Sequence, residues 1–113
     1  MRIRARAQGE VMILDITGNI VRIRDSRANL LREQVAQCLA EGSRRVLINM
    51  ETVEEIDSSG IGQLVQVLVS MRREGGQIKL LKASALVRRL LSITALQALF
   101  ECHDDESAAV ASF

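Results

Sequence analysis

From residue 45 onward, short apolar runs alternate with longer stretches of helical periodicity, and this alternation strongly constrains the fold. The run VLINM at 46–50 is short and mainly apolar, as is typical of a central strand covered on both faces. A helical pattern follows it, then a strand at 77–82 and a helix at 83–92. This order predicts an α/β fold with a mainly parallel sheet and right-handed crossovers. The residues expected to face the core from these two helices are Ile61, Leu64, Val65, Leu68, Met71, Leu86, Val87, Leu90 and Leu91.

The N-terminal segment predicts an antiparallel hairpin. Arginine alternates with apolar residues over 2–7, which is typical of a strand with one wet face, and a turn at 8–10 leads into a more apolar strand at 11–17. Like-charged side chains discourage edge-to-edge pairing, so a strand that exposes Arg2, Arg4 and Arg6 suits the edge of a sheet.

The remaining elements complete the predicted order. A helix is expected at 29–41 and should stop at Gly42, whereas residues 20–28 fit either an extended piece or a loop. A short strand at 99–102 and a helix at 104–112 follow near the end. Residues 1–113 are therefore predicted to form one α/β domain with four to five strands, an N-terminal antiparallel hairpin and about four helices. The residues expected on the buried face of the helix at 29–41 are Leu31, Val35, Cys38 and Leu39.

Composition and charge exclude several classes of partner. The 113 residues include two Phe and no Trp or Tyr, so no aromatic platform exists on which bases could stack. A formal net charge of +1 gives no general attraction to nucleic acid or to an anionic membrane. Because the sequence also shows neither a signal peptide nor a membrane-spanning apolar run, we expect a cytoplasmic protein without nucleic-acid or membrane partners.

Cysteine and histidine are too few to suggest a metal site or a cofactor. Cys38 falls in the apolar stripe of a helix, where a small buried hydrophobe is expected, and Cys102 is far from it in sequence. His103 is the single histidine and is expected in a loop or at a helix start. A zinc site needs more ligands at closer spacing, so we predict no metal and no cofactor.

The segment EEIDSSGIG, residues 54–62, lies between the central strand and the next helix. It can be read as a plain helix start, because its aspartate and serines are good N-cap residues and its glycines allow a tight turn. It can also be read as a modification site, because the N–H groups of a first helical turn form an anion site. A phosphoserine there adds about −1.5 to −2 charges, beside Glu54, Glu55 and Asp57, and would be repelled from an acidic or tightly packed partner.

Enzymatic interpretations of this segment have little support. The pair Gly60-x-Gly62 lacks the third glycine of a dinucleotide fingerprint, and no Gly-Lys-Ser/Thr follows as in a P-loop. A nucleophilic Ser58 or Ser59 would need a base, and the sequence offers only His103. A hydrolase that uses one of these serines is the remote alternative.

The sequence around this segment resembles the anti-sigma factor antagonists of the STAS domain family. The resemblance rests on DSSGIG at 57–62, preceded by VLINMETVEEI and followed by GGQIKLLKAS. The tail LLSITALQALFECHDDESAAVASF is similar to the family's usual ending, in which the last helix follows a Leu-Phe strand and an acidic turn. Together the match runs from about residue 10 to 113.

The resemblance implies a small α/β domain that is not an enzyme but a regulator. Family members bind an anti-sigma factor, usually also a serine protein kinase, and so free a sigma factor for transcription. The kinase phosphorylates the first serine of the motif, here Ser58, which ends the association, and a phosphoserine phosphatase restores it. The predicted partner-binding residues are Asp57, Ser59, Gly60, Ile61, Arg22 and Arg24.

One loop departs from the family pattern. Many antagonists carry a Leu-Asp pair after the second strand, whereas this chain has GNIVRIRD at 18–25. Arg22, Arg24 or Arg27 either favours an acidic partner or pairs with a phosphate on Ser58, or these residues are solvated loop charges. The main alternative to the phosphorylation switch is a STAS-type scaffold or transport-accessory subunit that assembles constitutively.

Overall fold

The computed structural model describes residues 2–18 and 30–113. Within these residues a five-stranded sheet has the order β1-β2-β3-β4-β5. β1 and β2 pair antiparallel, and every other neighbouring pair is parallel. This confirms the predicted α/β fold with a mainly parallel sheet and an N-terminal hairpin. The strands are β1 (Arg2–Gln8), β2 (Val11–Thr17), β3 (Arg45–Asn49), β4 (Gln77–Leu81) and β5 (Cys102–His103).

Four helices connect or follow the strands of the described part of the chain: α1 (Leu30–Ala40), α2 (Ser58–Arg73), α3 (Ala85–Ile93) and α4 (Glu106–Ala111). Each predicted helix is present, with bounds shifted by a few residues. α1 ends one residue before the predicted end at 41, and Gly42 lies just beyond it with a φ of +89°, a conformation that glycine adopts without the penalty of a Cβ.

The sheet is covered on both faces, and β3 contributes to both. Val46 and Ile48 point into the larger core, formed with the apolar sides of α1, α2 and α3. Leu47 points to the opposite face, where it packs in a smaller cluster with Ala109 of α4. All three of these β3 side chains are fully buried, so the prediction of a doubly covered central strand is confirmed.

Two helices bury a different set of side chains from the one predicted. In α2, Val67 is buried in the larger core, whereas Val65 is only half-buried. In α3, Val87 and Leu91 form a one-turn stripe towards the core, and Leu86 lies outside it with 44% of its surface exposed. The prediction that Leu86 faces inward is therefore wrong.

The C-terminal strand is later and shorter than the sequence suggested. β5 consists of Cys102 and His103 alone, so His103 lies in a strand rather than in a loop or helix start. Leu99 lies in a turn, while Phe100 inserts into the larger core at 3% exposure. Burial of Phe100, rather than strand pairing, accounts for the apolar character of this segment.

Arg6 is also placed differently from the prediction. It was expected in solvent with Arg2 and Arg4, but its guanidinium lies between two carboxylates. Its Nε donates to Asp15 at 2.6 Å, and its Nη1 donates to Glu106 at 3.1 Å. The face of β1 that alternation marks as wet is thus partly covered by α4.

Candidate functional site

The first turn of α2 is built on Asp57. This residue has extended backbone angles (φ −105°, ψ −176°), and its Oδ1 accepts a hydrogen bond from the backbone N–H of Gly60 at 2.9 Å. Its carbonyl oxygen accepts from the N–H of Ile61 at 3.0 Å. Asp57 is therefore the N-cap, and Ser58 is the first residue of the helix.

The two serines of the motif differ in accessibility. Ser58 is exposed, whereas Ser59 is half-buried. The sequence left the choice between them to family resemblance, and the geometry adds a physical difference. As a residue, Ser58 is thus more open to a partner than Ser59.

The three residues that follow Ser59 differ in burial: two are buried and one is exposed. Gly60 is buried, in line with the idea that a small residue lets this turn pack tightly. Gly62 is exposed, and apart from its chain neighbours and the adjacent backbone of α2, no atom of the described residues lies within 4 Å of the place where a Cβ would stand. Ile61 is 7% exposed and belongs to the larger core, so any influence of its side chain on a partner would be indirect.

The segment between β3 and α2 is anchored at its start by two polar side chains. Asn49 Oδ1 accepts from the backbone N–H of Glu51 at 3.1 Å, and the hydroxyl of Thr52 donates to the carbonyl of Ile16 at 2.7 Å. Further along, Val53 and Ile56 are buried in the larger core. Sequence reasoning missed Asn49 and Thr52, although a polar residue inside the run VLINM was a signal.

The surroundings of Ser58 carry negative charge. Glu54 and Glu55 are exposed and Asp57 is half-buried, so three carboxyl side chains lie within four residues of the serine. Arg22 and Arg24, the cations predicted to join this surface, lie outside the described residues. Of the predicted set, the structure thus brings together residues 57–61 at one helix start.

The two cysteines and the single histidine lie outside this motif, and their contacts suit a structural role better than a reactive one. Burial raises the pKa of the Cys38 and Cys102 thiols, which disfavours the reactive thiolate. His103 Nε2 lies 2.8 Å from a carboxylate oxygen of Glu101, on the same short segment.

Among residues 2–18 and 30–113, no cluster of three or more potential ligands could hold a metal ion. No helix in these ranges has the length and hydropathy needed to cross a bilayer.

Comparison with known proteins identifies relatives of this chain. The model of the STAS domain family matches residues 2–109. A Thermotoga neapolitana protein, provisionally named as an anti-sigma factor antagonist, is 35% identical over 72 residues. That match covers 64% of this chain and 64% of the relative, slightly less than two thirds of its length. The anti-sigma-B factor antagonist of Staphylococcus aureus is 28% identical over 74 residues, 66% of this chain and 68% of that protein.

A solved structure shares the architecture over its whole length. Bacillus SpoIIAA in its phosphorylated form matches with a TM-score of 0.73 and 18% identity, covering 99% of this chain and 100% of that chain. At this identity the likeness concerns the fold alone. The sequence relatives are named as anti-sigma factor antagonists. Because the family model matches nearly the whole length, the chain belongs to the STAS domain family.

Proposed function

We propose that this chain is an anti-sigma factor antagonist that binds an anti-sigma factor, frees a sigma factor, and is switched off by phosphorylation of Ser58. The observation that carries the proposal is the exposed position of Ser58 as the first residue of α2, directly after the Asp57 cap. The names of its sequence relatives support the choice of partner. The chain acts by binding and needs no chemistry of its own.

The physical basis of the switch is that the same charge has a different effect on folding and on association. At an exposed helix start, a negative charge interacts with the helix dipole by about 0.3–1 kcal/mol, so the fold tolerates a phosphate. In a protein interface, the same phosphate would have to be desolvated or would clash with a surface shaped to the unmodified serine. Phosphorylation of Ser58 is therefore expected to weaken binding while leaving the fold intact.

The partners follow from this scheme. We propose that the anti-sigma factor is itself the serine protein kinase, so that one surface of the chain serves both for binding and for recognition of Ser58. A phosphoserine phosphatase then restores the binding-competent form. Asp57, Ser59 and Gly60 are proposed to shape the surface that the kinase recognises, and the cycle is placed in the cytoplasm.

Phosphosite mapping tests the proposal. The chain is incubated with ATP and the kinase-type anti-sigma factor encoded in the same genome, and the phosphorylated residue is mapped by mass spectrometry. We expect one phosphate, on Ser58, which Ser58→Ala abolishes. Ser59→Ala is the matched control within the motif, and Ser107→Ala is the control for an exposed serine on another helix.

Two results would contradict the proposal. If the chain without substitutions carries the phosphate on Ser59 or Ser107, the assignment of the site to Ser58 is contradicted. Equal binding of the anti-sigma factor by the phosphorylated and unphosphorylated protein would contradict the switch, and would favour a STAS scaffold or transport-accessory subunit that assembles constitutively.

A further inference from the structure

Two polar side chains meet where β2 and β3 end. Asp15 and Asn49 are register partners on these neighbouring parallel strands. Asn49 Nδ2 donates a hydrogen bond to Asp15 Oδ1 at 2.8 Å, and Asn49 Oδ1 accepts from the backbone N–H of Glu51 at 3.1 Å. The carboxamide of Asn49 thus joins the sheet to the first residues of the segment that leads to Ser58.

The orientation of this carboxamide is fixed by charge. Arg6 donates to both carboxylate oxygens of Asp15, from Nε at 2.6 Å and from Nη2 at 3.2 Å. This contact, followed by the hydrogen bond from Asn49, lowers the pKa of Asp15. An ionised carboxylate can only accept hydrogen bonds, so the amide nitrogen of Asn49 must face Asp15. Its oxygen is then left for the N–H of Glu51.

Arg6 is held in turn from the opposite side. Its guanidinium makes two hydrogen bonds to Glu106 in the first turn of α4, one of them from Nη1 at 3.1 Å. The side chain of Arg6 is 32% exposed and that of Asp15 is 25% exposed, so water screens these contacts only in part. A continuous set of hydrogen bonds therefore runs from α4 through β1, β2 and β3 to the backbone of Glu51.

We propose that Asn49 is a positioning residue for Ser58, and that Arg6 and Asp15 act through it. This inference rests on the proposed function of Ser58. Asn49 fixes the point at which the chain leaves β3, Thr52 fixes the next residues to β2, and the segment then enters α2 at Asp57. When the first of these anchors is lost, the start of the segment is less restrained, and Ser58 spends less time in the geometry that a kinase or partner recognises.

The test compares local exchange with global stability. Asn49→Ala removes both hydrogen bonds of the carboxamide, and amide hydrogen exchange is measured by mass spectrometry across the chain. We expect exchange in residues 51–57 to become about three- to tenfold faster, the factor that corresponds to one lost hydrogen bond. Amides of α1 and β4 should change less. Uniform acceleration across all elements, or no change in 51–57, would overturn the proposal.

A double variant distinguishes loss of the specific hydrogen bond between residues 15 and 49 from general disruption of the sheet edge. Asn49→Asp places two carboxylates in contact and should perturb the segment at least as much as Asn49→Ala. Combining it with Asp15→Asn restores a carboxamide–carboxylate hydrogen bond, so exchange in 51–57 should recover in part. Failure of the double variant to recover, with its fold intact, would argue against the proposed pairing. Arg88→Gln is the control, because it breaks an ion pair with Asp104 elsewhere on the surface.

Kinetics of Ser58 phosphorylation provide the functional readout. We expect kcat/KM to fall at least threefold in Asn49→Ala and less in Arg6→Gln, which acts one step further away and keeps the core unchanged. Faster exchange in 51–57 with unchanged kcat/KM would overturn the positioning role while leaving the proposed function standing. If the unmodified chain is not phosphorylated on Ser58, the proposed function fails, and with it the functional half of this inference, whereas the exchange data still decide whether Asn49 anchors the segment.

Discussion

The carboxylate of Asp57 accepts a hydrogen bond from the backbone N–H of Gly60 at 2.9 Å, so the residue directly before Ser58 caps the helix that Ser58 begins. The cap partly satisfies the helix start before any phosphate arrives. A phosphate on Ser58 would therefore add charge to a helix start that is already folded. This arrangement suits a modification that changes association rather than folding.

Removal of the cap should cost stability. Asp57→Ala is expected to lower the free energy of unfolding by about 0.5–2 kcal/mol, whereas Asp57→Asn should cost much less, because asparagine also caps helices well. Urea unfolding measures both. Ser84→Ala is the matched control, since Ser84 caps α3 through a 3.2 Å bond from the N–H of Val87.

The two cap variants separate folding from recognition. Asp57→Ala and Ser84→Ala should lose stability to a similar degree, but only Asp57→Ala should also slow phosphorylation of Ser58. If Ser84→Ala slowed phosphorylation equally, the effect of Asp57 would be one of general destabilisation.

A charge mimic at Ser58 should leave the fold almost unchanged. Ser58→Glu is expected to alter the free energy of unfolding by no more than about 1 kcal/mol, because the side chain is exposed at the helix N-terminus. Thermal unfolding with Ser59→Glu as the comparison provides the measurement. The half-buried Ser59 should tolerate the larger charged side chain less well. A large fall in Tm for Ser58→Glu alone would show that this hydroxyl is structural.

Gly62 offers a test in which stability and binding should move in opposite directions. A Cβ at this exposed position would meet no described atom within 4 Å beyond its chain neighbours and the adjacent backbone of α2. Alanine is favoured over glycine inside a helix by about 0.8–1 kcal/mol. Gly62→Ala should therefore raise stability. If the bare backbone is needed for close approach of the anti-sigma factor, the same variant should bind more weakly, as isothermal titration calorimetry would show.

One result would contradict the expectation that Gly62 is needed for close approach of the anti-sigma factor. A more stable variant with unchanged affinity would mean that this glycine serves neither the fold nor the interface. Gly76→Ala is a useful contrast, because its Cβ would approach the carbonyl oxygen of Arg44 to 2.9 Å. That variant should be destabilised through packing alone.

The Arg6 contacts predict how stability depends on pH. Hydrogen bonds from Arg6 lower the pKa of Asp15 and of Glu106, so both carboxyls bind protons less tightly in the folded than in the unfolded state. Their contribution is complete above the unfolded pKa of about 4 and is lost as pH falls through the lower folded values. Arg6→Met should therefore be less stable than the unmodified chain at neutral pH, and the difference should shrink in acid. Urea unfolding between neutral pH and about pH 2 measures this, and a difference that stays constant would contradict it.

Much of the fold could be predicted because periodicity reflects which side chains are buried. The short apolar run at 46–50 and the helical spacing after residue 60 identified β3 and α2, and the helix stop at Gly42 was also predicted. Leu86 was assigned wrongly because a one-turn buried stripe is narrower than the apolar content of α3 suggests. Sequence pattern gives the face of an element but not how much of that face its neighbours cover.

The contacts around the site were less predictable, because they join residues far apart in sequence. Arg6 alternates like a solvent-exposed residue, and only the placement of α4, a hundred residues later, brings Glu106 to it. Asn49 and Asp15 interrupt apolar strands, but their pairing depends on the parallel register of β2 and β3. Local sequence predicted a helix start in this motif but left several N-cap candidates, and the family resemblance alone singled out Ser58. Tertiary structure supplied the contacts that anchor the segment before it.

The most direct test of the central claim is the affinity of the anti-sigma factor for the chain with and without phosphate on Ser58. Isothermal titration calorimetry on the enzymatically phosphorylated protein, paired with thermal unfolding of the same samples, measures association and folding together. We predict that Kd rises at least tenfold, about 1.4 kcal/mol, while the free energy of unfolding changes by less than about 1 kcal/mol. An unchanged Kd, or weaker binding that merely follows a loss of folded protein, would contradict the account.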